Sequence, residues 1–267
     1  MKRYKNKRVR RNRTIMIVIL ILFVLFILVL KNTSYIKQII KLSSDVEDMN
    51  LDNVDQDDEK VVEYNGITVV VDPGHGGRDP GKIGVNGALE KDINLSIAMK
   101  LKEQLENNGY RVVMTREEDI SLSSEEDSKK QLADLRNRVD IINNSNAEMT
   151  ISIHQNSFAQ EDCKGVQVFY FGSSEKSETF AHIMQEQIKN SIQDGNTRKA
   201  QAENSYYMLK NTYGIIIIVE CGFLSNYEEA NLLTQDSYQE RMAEAMYLGI
   251  ETYVQEKINR WNYYMYA

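Results

Sequence analysis

Apolar residues beyond residue 66 follow two periods, and each period predicts a different element. The run at 67–71 is short, continuous and mostly β-branched, which is typical of a buried strand. From Glu90 onward apolar residues recur every four positions, which predicts an amphipathic helix ending at the Asn-Asn-Gly of residues 107–109. The same two patterns continue to residue 254. They predict strands at 111–115, 149–154, 165–171 and 215–220 and helices at 132–143, 177–192 and 237–254.

Strands that alternate with helices predict an α/β fold. We expect a single domain over residues 66–258, built on a mostly parallel mixed sheet with helices on both faces. Residues 259–267 form a tail with four aromatic side chains, for which we expect loose packing because chain ends are seldom held firmly.

The N-terminal segment has a different pattern. Eight Lys or Arg residues lie within residues 2–13, and sixteen apolar residues follow at 15–30. A helix of that length spans about 24 Å, somewhat less than a bilayer core. We therefore predict a single-pass transmembrane signal anchor at 14–30, with the basic flank 1–13 in the cytoplasm and the rest outside the membrane. A signal peptide is the alternative, but no small-residue cleavage site follows the apolar run.

Charge is distributed unevenly along the chain. Beyond residue 31 there are 23 basic and 39 acidic residues, a net charge of −16, which argues against a nucleic-acid partner. Residues 31–65 are rich in acids and are interpreted as an acidic tether. The chain has two cysteines, Cys163 and Cys221, and two cysteines do not make a disulfide framework. We expect both to be free thiols.

Two of the three histidines are predicted to end strands at one edge of the sheet. His75 follows the first strand within a glycine-rich loop, and His154 ends the strand at 149–154. Glu90 opens the first helix, where an acid also suits the helix dipole. Two histidines and one carboxylate form the ligand set of a catalytic zinc ion, which leaves one position open. Glu220 ends an apolar strand, where a carboxylate is costly without a role, and it is the candidate base.

Five ordered motifs resemble those of the zinc-dependent N-acetylmuramoyl-L-alanine amidases of the cell-wall amidase type. They are residues 71–77 (VDPGHGG), 89–95 (LEKDINL), 115–116 (TR), 152–156 (SIHQN) and 219–226 (VECGFLSN). The resemblance implies that His75, Glu90 and His154 bind Zn²⁺ and that Glu220 is the catalytic glutamate. It also implies peptidoglycan as substrate and a bacterial cell surface as location. A further family segment around Arg138 is interpreted as structural.

A narrower resemblance is to the spore-cortex, germination-associated branch of this family. It is carried by residues 197–200 (TRKA), 207–211 (YMLKN), 228–230 (EEA) and 232–233 (LL). It implies removal of stem peptides from muramic acid as the step before muramic-δ-lactam formation, with the forespore intermembrane space as one setting. The chain has no recognised wall-targeting module, so a positioning or activating protein partner is a hypothesis.

Several alternatives remain open from the sequence. A zinc peptidase that cuts within the stem peptide and a non-catalytic wall-binding scaffold would share this fold. Arg116 and Asn156 are weak candidates for substrate binding, and an ion pair is an equally good expectation for Arg116. His182 is expected on a helix surface. Cys221 is not expected to act as nucleophile or ligand, because neighbouring side chains on a strand point to opposite faces.

Overall fold

The computed structural model describes residues 62–192 and 195–266. Within those residues the chain forms six strands and six helices. The strands are β1 (Thr68–Pro73), β2 (Arg111–Met114), β3 (Met149–Asn156), β4 (Gln167–Tyr170), β5 (Gln201–Ala202) and β6 (Ile216–Phe223). The helices are α1 (Glu90–Asn107), α2 (Lys130–Asn144), α3 (Glu175–Ile192), α4 (Tyr207–Asn211), α5 (Tyr227–Leu233) and α6 (Asp236–Tyr266).

The strands of the described part form one mixed sheet in the order β2-β1-β3-β6-β4-β5. The first four of these are mutually parallel, whereas β4 runs antiparallel to β6 and parallel to β5. The carboxyl ends of β1, β3 and β6 therefore lie side by side at one edge. Parallel α/β sheets build their sites at such an edge.

Helices cover both faces of the sheet, as predicted, and strand alternation explains how. Val69 and Val71 face a large core that includes α1, α3 and α6, whereas Val70 faces a smaller core with α2 and α4. All three valines are fully buried. Strands that are apolar on both faces are the expected consequence of cover on both sides.

The elements that the periodicity did not predict are short or lie at the chain end. They are β5, α4 and α5, whose two to seven residues are too few to show a period. The closing helix α6 continues to Tyr266 rather than ending near 254, so residues 259–267 do not begin a separate segment. Trp261 near its end is 66% exposed, in keeping with the loose packing expected there.

None of the helices in the described residues is long and apolar enough to cross a membrane. The predicted basic flank, anchor and nearly all of the tether lie outside the described residues.

Candidate metal centre

Three elements bring the predicted metal ligands together at the carboxyl edge of the sheet. His75 lies two residues beyond β1, and His154 lies near the carboxyl end of β3. Glu90 is the first residue of α1. One side-chain atom from each of the three lies within 4.8 Å of the corresponding atoms of the other two. The pattern of strand ends thus places these residues as the sequence predicts.

The two distances from Glu90 to the histidines are close to those around a tetrahedral ion. Glu90 Oε1 lies 3.2 Å from His75 Nε2 and 3.1 Å from His154 Nδ1. Ligands bonded to zinc at 2.0–2.1 Å in a tetrahedron lie about 3.3–3.4 Å apart. The three residues therefore fit zinc in both ligand chemistry and spacing.

Two glycines make room for this arrangement. A Cβ on Gly74 would lie 2.1 Å from the His154 ring, and one on Gly81 would lie 2.6 Å from Glu90 Oε2 and 2.7 Å from His75 Cδ2. Gly81 also has a φ of +65°, which other residues adopt at a cost. The backbone thus approaches the three side chains as closely as it does because these positions carry no side chain.

Hydrogen bonds orient the histidine and the carboxylate. His75 Nδ1 lies 2.9 Å from Asp79 Oδ2, which leaves Nε2 directed at Glu90. Glu90 accepts from the backbone amides of Lys82 (2.7 Å, Oε2) and Gln155 (3.1 Å, Oε1). A metal-bound histidine commonly donates its second ring N–H to a carboxylate, which fixes the ring and its tautomer.

The electrostatics of the three residues favour a positive charge between them. Burial disfavours the charged ring of His75, but the hydrogen bonds and charges of Glu90 and Asp79 outweigh burial and raise its pKa to about 9. Burial likewise opposes ionisation of Glu90, yet the two imidazoles hold the pKa of this carboxyl well below its usual range. The protonated His75 ring carries a positive charge in the place where a bound divalent cation would carry one.

Glu220 lies beside the three ligands without belonging to them. It is paired with His154 in the register of β3 and β6, and it is only 9% exposed. Its Oε2 atom is buried and has no hydrogen-bond partner among the described residues. Burial raises the pKa of Glu220 to about 7, so it exchanges a proton near neutral pH. A buried oxygen without a partner is costly unless the site supplies one, such as a water or a substrate amide.

A buried ion pair supports the loop that carries His75. Asp72 on β1 is fully buried and accepts hydrogen bonds from Thr115 and Ser152, each at 2.6 Å. Its Oδ1 pairs with Arg138 Nη1 at 2.7 Å. The same guanidinium donates to the carbonyl of His75 at 2.5 Å. This contact helps hold His75 at a φ of +61°, a value that is uncommon outside glycine.

The two candidate substrate-binding residues contact the protein itself. Arg116 is 2% exposed and donates to the backbone carbonyls of Pro73, Gly74, Lys91 and Glu118 rather than to a carboxylate. The guanidinium therefore shapes the His75 loop, and no carboxylate of the described residues forms a salt bridge with it; substrate binding by Arg116 stays a prediction. Asn156 accepts from the amide of Ser157 at 2.7 Å, and its carbonyl accepts from Leu224 at 2.8 Å. It joins the ends of β3 and β6.

His182 and the two cysteines contribute no ligand atom to the metal centre. His182 is half exposed on α3. Cys163 and Cys221 are free, as expected. Cys221 is fully buried, and burial together with nearby Glu220 raises the pKa of its thiol.

Sequence reasoning did not identify Asp79 or Asn94. The amide of Asn94 donates to Gly74 O at 3.1 Å, and its Oδ1 accepts from Gln155 at 3.0 Å. The sequence could have identified Asn94 by its position, because it lies one helical turn after Glu90 and therefore on the same face of the helix. Asp79 lies in a loop whose path has no period, so the sequence offered no comparable signal.

Comparisons with known proteins agree on one family. A family model described as N-acetylmuramoyl-L-alanine amidase matches residues 69–252. The germination-specific N-acetylmuramoyl-L-alanine amidase of Bacillus subtilis (strain 168) is 38% identical over 196 residues, which cover 72% of this chain and 82% of that protein. The CwlD amidase of Clostridioides difficile, solved in complex with the GerS lipoprotein, matches with 41% identity and a TM-score of 0.69 over 71% of this chain and 98% of that one. An N-acetylmuramoyl-L-alanine amidase of Clostridium difficile 630 matches with 30% identity and a TM-score of 0.66, over 73% and 100% of the two chains.

Proposed function

The chain belongs to the N-acetylmuramoyl-L-alanine amidase family, and from that premise we propose that its activity on peptidoglycan depends on a zinc ion held by His75, Glu90 and His154. The bond cut is the amide between the lactyl group of N-acetylmuramic acid and L-alanine. The observation that carries the zinc assignment is the convergence of three ligand atoms beside a buried carboxylate oxygen that has no partner.

Zinc in such a site lowers the pKa of a bound water toward about 7 and polarises the substrate carbonyl. Glu220 takes one proton from the attacking water and delivers it to the departing nitrogen of L-alanine. The new C–O bond forms first and the C–N bond then breaks, which gives a lactyl carboxylic acid and a free peptide amine; the acid's proton then passes to the amine, so the final products are a carboxylate and an ammonium group. Glu220 suits both proton transfers because burial brings its pKa to about 7.

The residues around the ligands keep the site assembled during these steps. Asp79 fixes the ring of His75, and the amide of Gln155 fixes the carboxylate of Glu90. Arg116 and Arg138 hold the carbonyls of the loop between β1 and α1. None of these groups needs to move for water to attack.

The exchange Glu220→Gln tests the assignment of the base. The variant should bind zinc as the wild type does and lose hydrolysis by at least about 100-fold, the lower part of the range for a positioned proton-transfer group. Zinc content by plasma mass spectrometry and release of amines from peptidoglycan provide the two readouts. Hydrolysis at the wild-type rate by the variant would refute the role of Glu220.

Mass spectrometry of the products separates this amidase activity from cleavage within the stem. Amidase action releases intact stems that begin with L-alanine, whereas a peptidase releases shorter fragments. Activity that survives complete removal of zinc by a chelator would exclude the zinc assignment.

We propose spore cortex as the natural substrate. The support is the similarity to a relative named as germination-specific, together with residues 197–200 and 207–211, which resemble that branch. Purified protein should remove stems from cortex peptidoglycan and thereby expose muramic acid for lactam formation. Cortex from spores that lack this protein should contain no muramic-δ-lactam, and normal lactam content would contradict the proposal.

We further propose that the domain works outside the cell membrane, tethered by the predicted anchor at 14–30, with a protein partner that positions or activates it. The support for a partner is that the similar CwlD amidase was solved in complex with a lipoprotein. A net charge of −16 beyond residue 31 also gives the domain no general attraction to an anionic wall. Co-purification of the full chain from membranes of its own cells tests both points.

A further inference from the structure

Arg198 is held by contacts with three other segments of the domain. It is half-buried, and its guanidinium carbon lies 4.8 Å from the centre of the Phe223 ring at the end of β6. Its Nε donates to the carbonyl of Lys164 at 3.0 Å, and its Nη1 donates to Gln167 Oε1 at 3.4 Å. The guanidinium is stacked on an aromatic ring, and two of its five N–H groups donate hydrogen bonds. These contacts fix its position and its direction.

The strand register relates this cation to the proposed base. Gln167 on β4 is the direct partner of Glu220 in the antiparallel pair of β4 and β6. Side chains of directly opposed residues share one face of a sheet and have neighbouring Cβ atoms. Arg198 therefore contacts Gln167, the residue on β4 that is paired with Glu220.

In the part of the chain that the structure describes, no carboxylate forms an ion pair with Arg198. Of the two buried arginines near the metal centre, Arg138 has two carboxylate partners, and Arg116 donates to four backbone carbonyls. A partly desolvated guanidinium gains most from a carboxylate, which it binds through paired hydrogen bonds. Arg198 also lines an open groove of about 520 Å³, whose other lining residues lie within 160–165 and 195–197, so the side chain can be reached from solvent.

The direction of the reaction indicates which part of the substrate lies on the Glu220 side, towards Arg198. Glu220 must lie within hydrogen-bond reach of the leaving nitrogen to protonate it, so the peptide leaves on the side of Glu220. Any peptide that begins at this nitrogen carries at least its terminal carboxylate. Building on the proposed amidase function, we propose that Arg198 binds a carboxylate of the stem peptide and so selects acidic peptides as leaving groups.

Two substrates and three variants test this proposal in the full chain. The substrates are a soluble muropeptide with free stem carboxylates and the same muropeptide with those groups converted to carboxamides. Wild-type protein should prefer the free carboxylates by about 10- to 100-fold in kcat/KM, the range for a hydrogen bond to a charged group. Arg198→Gln should lose this preference, mainly through a higher KM for the free-carboxylate substrate. Arg198→Lys should keep part of it.

Arg78→Gln is the matched control. Arg78 follows the His75 loop and is 77% exposed in a surface pair with Glu125, so its loss removes a cation near the site without affecting the preference. Zinc content and thermal stability of each variant show whether it is folded.

Each outcome decides a separate point. If Arg198→Gln slows hydrolysis of both substrates equally, or if wild-type protein cleaves both at the same rate, the proposal is overturned. The second comparison needs no variant, so it holds even if Arg198→Gln fails to fold. A wild-type protein without zinc-dependent hydrolysis of either substrate would overturn the proposed function itself.

Discussion

At the scale of single residues, Asp79 is not a metal ligand, but it orients one of the ligands, His75. It accepts from His75 Nδ1 at 2.9 Å, and its second oxygen accepts from the amide of Gly81 at 3.0 Å. Both oxygens are thus committed, so Asp79 holds the ring and the loop in one relation. This contact therefore also fixes the direction of Nε2, the ligand nitrogen of His75.

Replacing Asp79 with Asn should weaken zinc binding about 10- to 100-fold, the usual effect of losing a partner of a metal-bound histidine. Competition with a chromophoric chelator measures the affinity. Asp119→Asn is the control. Asp119 accepts a hydrogen bond from the amide of Gly77 in the same loop but does not contact His75. Equal zinc affinity in wild type and Asp79→Asn would show that the ring is held by packing alone.

Gly74 sets how closely the backbone approaches His154. In Gly74→Ala the new Cβ would lie 2.1 Å from the ring, so the imidazole must move and zinc affinity should fall at least about 10-fold. Gly214→Ala is the comparison, since no atom lies within 4 Å of a Cβ there. Zinc retained after gel filtration measures the effect, and full retention in Gly74→Ala would mean that the loop relaxes freely.

At the scale of elements, the pair Asp72–Arg138 joins β1 and α2 and is linked to β3 through Ser152. Burial opposes the charge on Asp72, but Arg138 and two hydroxyl groups outweigh it and lower the pKa of this carboxyl. Its ionised form is therefore favoured in the folded state. The pair supports the metal centre indirectly, through the carbonyls that Arg138 also holds.

Asp72→Asn should lower the free energy of unfolding by about 3–5 kcal/mol at neutral pH, because it leaves a buried guanidinium without its main partner. A lowered folded pKa contributes stability that is complete above the ordinary value of 3.8 and declines as pH falls below it toward the folded pKa. The difference between wild type and variant should therefore shrink below about pH 4. Urea unfolding from pH 7 to pH 3 measures this, and Asp140→Asn on the exposed face of α2 should have no such effect. A difference that does not change with pH would contradict the assignment.

The elements also show what the sequence predicts and what it does not. His75 and His154 were predictable because each follows an apolar strand, and parallel strands bring such positions to one edge. Glu90 was predictable because it begins α1, and Glu220 because it follows the apolar run 215–219, although β6 continues beyond it to Phe223. The hydrogen bond between His75 and Asp79 was not, since it depends on a loop in which His75 has a positive φ. The same holds for Arg116, whose partners are all backbone carbonyls of segments distant in sequence or of its own loop.

At the scale of the whole molecule, the metal centre connects the edges of the two cores. Its ligands come from β3, from the β1–α1 loop and from the start of α1, so an ion there would tie together segments that are far apart in the chain. The interior below these segments is mostly apolar along β1 and β3, apart from the buried Asp72, Thr150 and Ser152. Zinc binding is therefore expected to add to the stability of the fold rather than to create it.

Removal of zinc should lower the melting temperature without unfolding the protein. A ligand at about 100 times its Kd stabilises the folded state by about 2.7 kcal/mol, which corresponds to about 5–11 °C in a domain of this size. Differential scanning calorimetry with zinc and with a chelator measures the shift. His154→Ala should melt at the same temperature under both conditions, because it lacks a ligand, whereas Glu220→Gln should keep the full shift, because Glu220 is not one. A shift that persists in His154→Ala would mean that zinc binds elsewhere, and its loss in Glu220→Gln would make Glu220 a ligand rather than a base. The melting temperatures of these two variants therefore separate the ligands from the base without a measurement of activity.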